Sequence, residues 1–148
     1  DGVKVDSNVL AGSGLVGIVT EVGPNYAQVR SIIDDASNVS AMMLSTSDTC
    51  MVRGDLELMS DGRLHFEKLP NNDNVVEPGE QVVTSHVSSR FLQGLFIGYV
   101  SDIDVDANNL TRSGYITPAV DFSKLQEVLV ITTTKREMTG GEDAGEGE

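Results

Sequence analysis

The chain has no tryptophan, one cysteine and four prolines, and it sets only ten lysines and arginines against 23 aspartates and glutamates. The lone Cys50 excludes an internal disulfide and with it the small disulfide-stapled secreted class. With no paired histidine, its thiol reads as an ordinary buried or half-buried group rather than a nucleophile. Basic residues are scattered and outweighed, giving a net charge of −13. Nucleic acid or an anionic lipid surface would need a basic stripe, so both are argued against. No apolar run approaches ~18 residues, which excludes a membrane-crossing helix within this chain. Long amphipathic helices, coiled-coil heptads and clean internal repeats are missing as well.

What remains is strand signal. Gly14 to Ile33 holds two runs rich in β-formers on either side of Gly23-Pro24-Asn25, a strand, a turn and a second strand. Val16, Ile18 and Val22 fall on one side of a two-residue period, as do Ala27, Val29 and Ile33, which predicts one buried and one wet face. Val39 to Leu44 resumes as a strand. Met51–Leu58 and Arg63–Leu69 read as a hairpin closed by Asp61-Gly62, with Leu56, Leu58, Leu64 and Phe66 inside. Leu69 is out of phase with Leu64 and Phe66, which predicts a bulge near Lys68. Glu77-Pro78-Gly79-Glu80 is a tight turn feeding a strand at 81–85. Leu95 to Ile103 is a strong strand, Asn108-Asn109 turns the chain, and 115–120 and 128–134 are the last strands, separated by a possible helical turn from Phe122 to Glu127. Strands about every ten residues with turns between them mean an all-β sandwich or small barrels. Residues 135–148 form an acidic, glycine-rich stretch read as a disordered solubilising tail.

Constellations for chemistry are weak. His65 and His86 lie in different elements, and neither has a partner at metal-ligand spacing. No Gly-x-Ser-x-Gly occurs, and Ser13 between Gly12 and Gly14 does not complete that elbow. Asp102, Asp104 and Asp106 resemble the start of a calcium loop, but Ala107 stands where glycine is required and Ser113 where the bidentate glutamate belongs. They read instead as the wet face of a strand. Arg53-Gly54-Asp55 is an integrin tripeptide placed at the opening of a hairpin strand. No catalytic, cofactor or metal residues are assigned. A degenerate trypsin-like barrel hydrolase and an adhesion module using Arg53-Gly54-Asp55 stay open as alternatives. Exposed aromatic and apolar residues favour association, and Phe91, Leu92, Tyr99 and Tyr115 are the candidate partner contacts.

Four stretches together carry a resemblance. Gly14-Leu-Val-Gly-Ile-Val-Thr-Glu-Val-Gly-Pro-Asn-Tyr-Ala-Gln-Val-Arg is followed in order by Gly79-Glu-Gln-Val-Val-Thr-Ser, Gly94-Leu-Phe-Ile-Gly-Tyr-Val and Pro118-Ala-Val-Asp-Phe-Ser-Lys-Leu-Gln-Glu-Val-Leu-Val-Ile. The set resembles the extracytoplasmic β-region of the rod shape-determining MreC family, over about Asp1 to Thr134. The chain departs from the family at His86–Gly94, where Gly-rich residues and a Phe-Pro-Lys-Gly step are usual. The resemblance implies two small β-barrels in tandem, expected as 1–35 plus 95–134 for one and 36–94 for the other. It further implies a non-catalytic scaffold at the outer face of the bacterial cytoplasmic membrane, anchored by an amino-terminal helix not in this chain. Its implied partners are MreD, RodA and class B penicillin-binding proteins, with MreB indirectly across the membrane, and it implies homo-oligomers or filaments.

Overall fold

The computed structural model describes residues 3–34, 37–55, 63–122, 129–131, 134 and 135. Ten strands account for most of them: β1 (Asn8–Ala11), β2 (Gly14–Val22), β3 (Ala27–Ser31), β4 (Asn38–Met43), β5 (Thr49–Arg53), β6 (Leu64–Pro70), β7 (Gln81–Thr84), β8 (Phe96–Val105), β9 (Thr111–Pro118) and β10 (Leu129–Ile131). Strands β4-β5-β6-β9-β8-β7 hydrogen-bond in that order and close into a barrel, while β10-β1-β2-β3 form a four-stranded sheet. The all-β architecture is the one that the spacing of strand signals predicts, and its two units are those that the resemblance implies, one a closed barrel and the other a sheet. Among the described residues, no helix is long and apolar enough to cross a membrane.

The grouping of strands differs from the expected one. Residues 95–118 do not pair with the amino-terminal hairpin; β8 pairs with β7 and β9, and β9 with β6, so the barrel takes them all. Only β10 returns to β1. Closure is the reason: with β8 and β9 in place the barrel has no free edge, and Ile97, Val100 and Ile116 face the interior with Leu64, Phe66, Val82 and Val52. The connection at 106–110 links the neighbouring strands β8 and β9, whereas 71–80 crosses over from β6 to β7, which are not neighbours in the barrel.

Inside the barrel the period of two holds where pairing is regular. Val39, Ala41 and Met43 point inward along β4, with Asn38, Ser40 and Met42 facing out. On β6 the register passes from Phe66↔Gly114 to Leu69↔Arg112, one extra residue on β6, and Lys68 takes φ +65°. The predicted bulge is there, and it returns Leu69 to the interior, where Leu64, Phe66 and Leu69 are all fully buried. The turn at 77–80 also forms as read: Gly79 has φ +100° and the Glu80 amide donates to the Glu77 carbonyl. Asn109 turns the chain after β8 with φ +60°.

The opening hairpin departs from simple alternation. Opposite β1 the register runs Val9↔Gly17 and then Leu10↔Leu15, so Val16 is an inserted residue. This bulge puts Leu15 and Ile18 on the face joined to the barrel core, and Val16 and Val19 on the other face with Val9 and Val120. Both faces of the first half of β2 are therefore buried. The second half is not, and on β3 Ala27 and Val29 are exposed rather than buried, because β3 is an edge strand. Ile33 is buried as expected, together with Ile32.

Leu56, Leu58 and the Asp61-Gly62 turn lie outside the described residues, as do most of the Phe122–Glu127 segment and nearly all of the acidic tail.

Candidate functional site: the outer wall of the barrel

A row of side chains crosses four strands on the barrel exterior. Register pairs Arg53 with His65, His65 with Tyr115 and Tyr115 with Asp102, which takes the row from β5 through β6 and β9 to β8. Cross-strand neighbours stand close enough to interact. The Arg63 guanidinium lies 4.5 Å from the centre of the Tyr115 ring and places Nη1 3.3 Å from Asp102 Oδ2. The His65 and Tyr115 rings are 5.6 Å apart, and Arg53 Nη1 sits 3.2 Å from Glu67 Oε2. Exposed contacts of this kind contribute only ~0.5–1 kcal/mol each. Their effect is to hold Tyr115 in one orientation on the wall.

Tyr99 extends the same surface. It stands between Gln81 on β7 and Thr117 on β9, and Thr117 is two residues from Tyr115 on the same face. Tyr99 is 44% exposed, and the Phe96 ring meets it edge-on at 5.2 Å. The structure thus brings together two of the four candidate contacts, Tyr99 and Tyr115, on the β8–β9 pair. Phe91 and Leu92 are elsewhere. Phe91 is buried in the barrel core, and half-buried Leu92 is tied down by Asn8 Oδ1, which accepts its N–H at 2.8 Å, and by the Thr84 hydroxyl, which donates to its carbonyl at 2.5 Å. Phe91 is therefore not part of the Tyr99–Tyr115 wall.

The acidic positions behave as a wet strand face. Asp102 and Asp104 are exposed, and Asp106 accepts hydrogen bonds at 2.6 Å from both Ser113 and Thr111. Those hydroxyls hold its carboxyl below the usual carboxylate range. Val105 is half exposed beside the 106–110 turn. At the neighbouring barrel end Arg112 is 8% exposed and donates to the carbonyls of Pro70 and Asn74 and to Asn72 Oδ1. Burial tends to raise the Asp48 pKa, but the amides of Asn74 and Asn72, together with Thr46 and the Arg112 charge, leave it lowered. These polar anchors were not identified from sequence, since a single Arg in a strand or Asn in a connection carries no periodic signal.

Other sequence candidates resolve plainly. Gly54 is wedged against the backbone of 32–34, where a Cβ would overlap the Ile32 and Asp34 carbonyls. The Arg53-Gly54-Asp55 tripeptide therefore lies against the fold and does not sit at a loop tip. Cys50 is buried, and burial pushes its thiol up to about 12. Among the described residues no group of three His, Cys, Asp or Glu is placed to hold a metal. The wall presents Tyr99, Tyr115 and paired charges on adjoining strands.

Known proteins share this architecture. The family model for the barrel core of the rod shape-determining protein MreC matches residues 1–132. A cell shape-determining protein MreC of Listeria monocytogenes is 31% identical, covering 96% of this chain and 52% of its own length. The chain thus spans about half the length of that relative. A solved structure of MreC from Listeria monocytogenes superimposes with a TM-score of 0.78 at 32% identity, over 88% of this chain and 62% of that one. A complex between the penicillin-binding protein PBP2 and MreC from Helicobacter pylori contains the same fold, with a TM-score of 0.64 at 17% identity over 83% of this chain and 74% of that one. With a family model spanning nearly all of the strand-forming sequence, and a closed barrel with an attached sheet as its structure, the chain belongs to the rod shape-determining protein MreC family.

Proposed function

We propose that this chain is the β-region of a non-catalytic scaffold outside the bacterial cytoplasmic membrane that organises the enzymes of lateral wall synthesis and so maintains rod shape. In this reading the protein is anchored by an amino-terminal helix upstream of the present sequence. It engages class B penicillin-binding proteins, MreD and RodA, connects indirectly to MreB, and self-associates into dimers or filaments. The observation that carries the proposal is the outer wall of β8 and β9, where an exposed tyrosine and a second one clamped by Arg63 adjoin fixed charges without any catalytic grouping. The Helicobacter pylori relative found with PBP2 supports a penicillin-binding protein as the partner.

Aromatic residues dominate interface energetics, and truncating one at a hot spot costs ~2 kcal/mol or more, roughly 30-fold in affinity. The full-length protein carrying Tyr99→Ala and Tyr115→Ala is therefore expected to lose capture of its cognate class B penicillin-binding protein and to leave depleted cells round, while the wild type restores rods. Rescue and capture equal to wild type by a folded double variant would remove this wall from the mechanism. Failure of the wild-type protein to do either would end the scaffold reading itself.

A further inference from the structure

A cavity of about 350 Å³ opens on a different part of the barrel exterior, over β4 and β5. Its floor is Asn38, Ser40 and Met51, outward-facing residues of those strands, with Ser40 directly opposite Met51 in the register. Residues 87–91 form its roof. In a chain of net charge −13, no carboxylate among the described residues lines this cavity, and the one ionisable lining group among them is Arg90.

The roof is fixed by the fold rather than left to a ligand to order. Asn8, fully buried in the small sheet, donates to the Arg90 carbonyl at 3.0 Å and accepts the Leu92 N–H at 2.8 Å. Ser85 Oγ accepts the Val87 N–H at 3.1 Å and lies 3.0 Å from Ser40 Oγ. A wall already in place lowers the ordering cost of binding.

The lining offers a guanidinium and a buried hydroxyl as donors. Ser88 is 8% exposed, and its Oγ accepts the N–H groups of Phe91 at 3.0 Å and Arg90 at 3.4 Å. No acceptor for its own hydroxyl hydrogen stands among the described residues, and a buried donor without an acceptor is costly. The Arg90 side chain is 58% exposed, and its ion pair with Asp6 is a long one, 3.9 Å from Nε. Its terminal nitrogens present the planar fork that matches a carboxylate. Beside these donors stand Met51, Val87 and Phe91. A loosely paired guanidinium beside a buried hydroxyl favours an anion, and the adjacent apolar surface selects a short aliphatic group attached to it.

We propose that this cavity binds the C-terminal carboxylate of a peptide ending in a small apolar residue. Arg90 and the Ser88 hydroxyl hold the carboxylate, the Asn38 amide meets the preceding peptide group, and Met51 with Phe91 receives the last side chain. The test is a titration of the isotope-labelled full chain with N-acetyl-alanyl-alanine, its C-terminal amide, and acetate, following the backbone amide resonances of residues 87–92. The free acid is expected to shift them saturably, and the amide to bind at least about tenfold more weakly. Arg90→Gln is expected to weaken the acid by a similar factor with thermal stability unchanged, since it is the Arg90 backbone, not the side chain, that meets Asn8. Equal response to acid and amide, an Arg90→Gln variant that binds like wild type, or acetate matching the dipeptide at equal concentration would each overturn the proposal.

Discussion

Replacing Asn8 by alanine tests whether one side chain joins the small sheet to the barrel. The amide is fully buried and makes two bonds to the 85–95 loop, one from its Nδ2 to the Arg90 carbonyl and one to its Oδ1 from the Leu92 N–H. Each such bond contributes roughly 0.5–1.5 kcal/mol net, and a buried partner left unsatisfied costs ~1–3 kcal/mol. Both partners lie only partly buried, so the upper end is not reached and Asn8→Ala should cost about 2–4 kcal/mol. For a chain of this size that lowers Tm by roughly 5–15 °C. Urea unfolding of wild type and variant measures the loss directly, and amide exchange of Leu92 reports whether it arises at the loop. Asn8→Leu, branched at Cγ like asparagine, should lose as much stability, which separates hydrogen bonding from volume. A change under ~0.5 kcal/mol, or undiminished protection at Leu92, would refute the reasoning.

Three further outcomes follow from the same geometry. A Cβ on Gly114 would overlap the Asp102 carbonyl on β8, a backbone atom that cannot swing away, so Gly114→Ala should destabilise the barrel by ~2–3 kcal/mol in the same urea assay. Asp48 and Asp106 have folded pKa values below their unfolded ones, so their stabilisation is present above the unfolded value of ~4 and is lost as pH falls through the folded values; the urea midpoint should decline below about pH 4, and Asp48→Asn should flatten that decline. Cys50, with its thiol raised to about 12, should resist an aromatic disulfide reagent at pH 8 until the chain opens, so labelling faster than unfolding would contradict its burial.

Much of the barrel was legible because its patterns are local. Leu69 falling out of step with Leu64 and Phe66 located a bulge before any coordinates, and Pro78-Gly79 and Asn108-Asn109 located turns. The partner of a strand is not a local property. β8 and β9 were assigned to the wrong unit because Ile97 and Ile116 are equally apolar whichever sheet receives them, and only closure of the barrel chooses. The face of β2 was misread for a related reason: an inserted Val16 is visible only against its neighbour β1. At the candidate site Tyr99 and Tyr115 could be found as aromatics in strands, yet Phe91 in the unpatterned 85–95 loop gave no sign that it turns inward.

The inserted residue on β2 also determines where the chain tolerates a change of length. Because Leu15 and Ile18 serve one apolar interior while Val16 and Val19 serve another, deleting a single position from 15 to 17 would exchange the two sets and spoil both interiors at once. A change of length in the exposed connection at 107–110 moves neither interior, while the spacing of the opening strand must stay fixed.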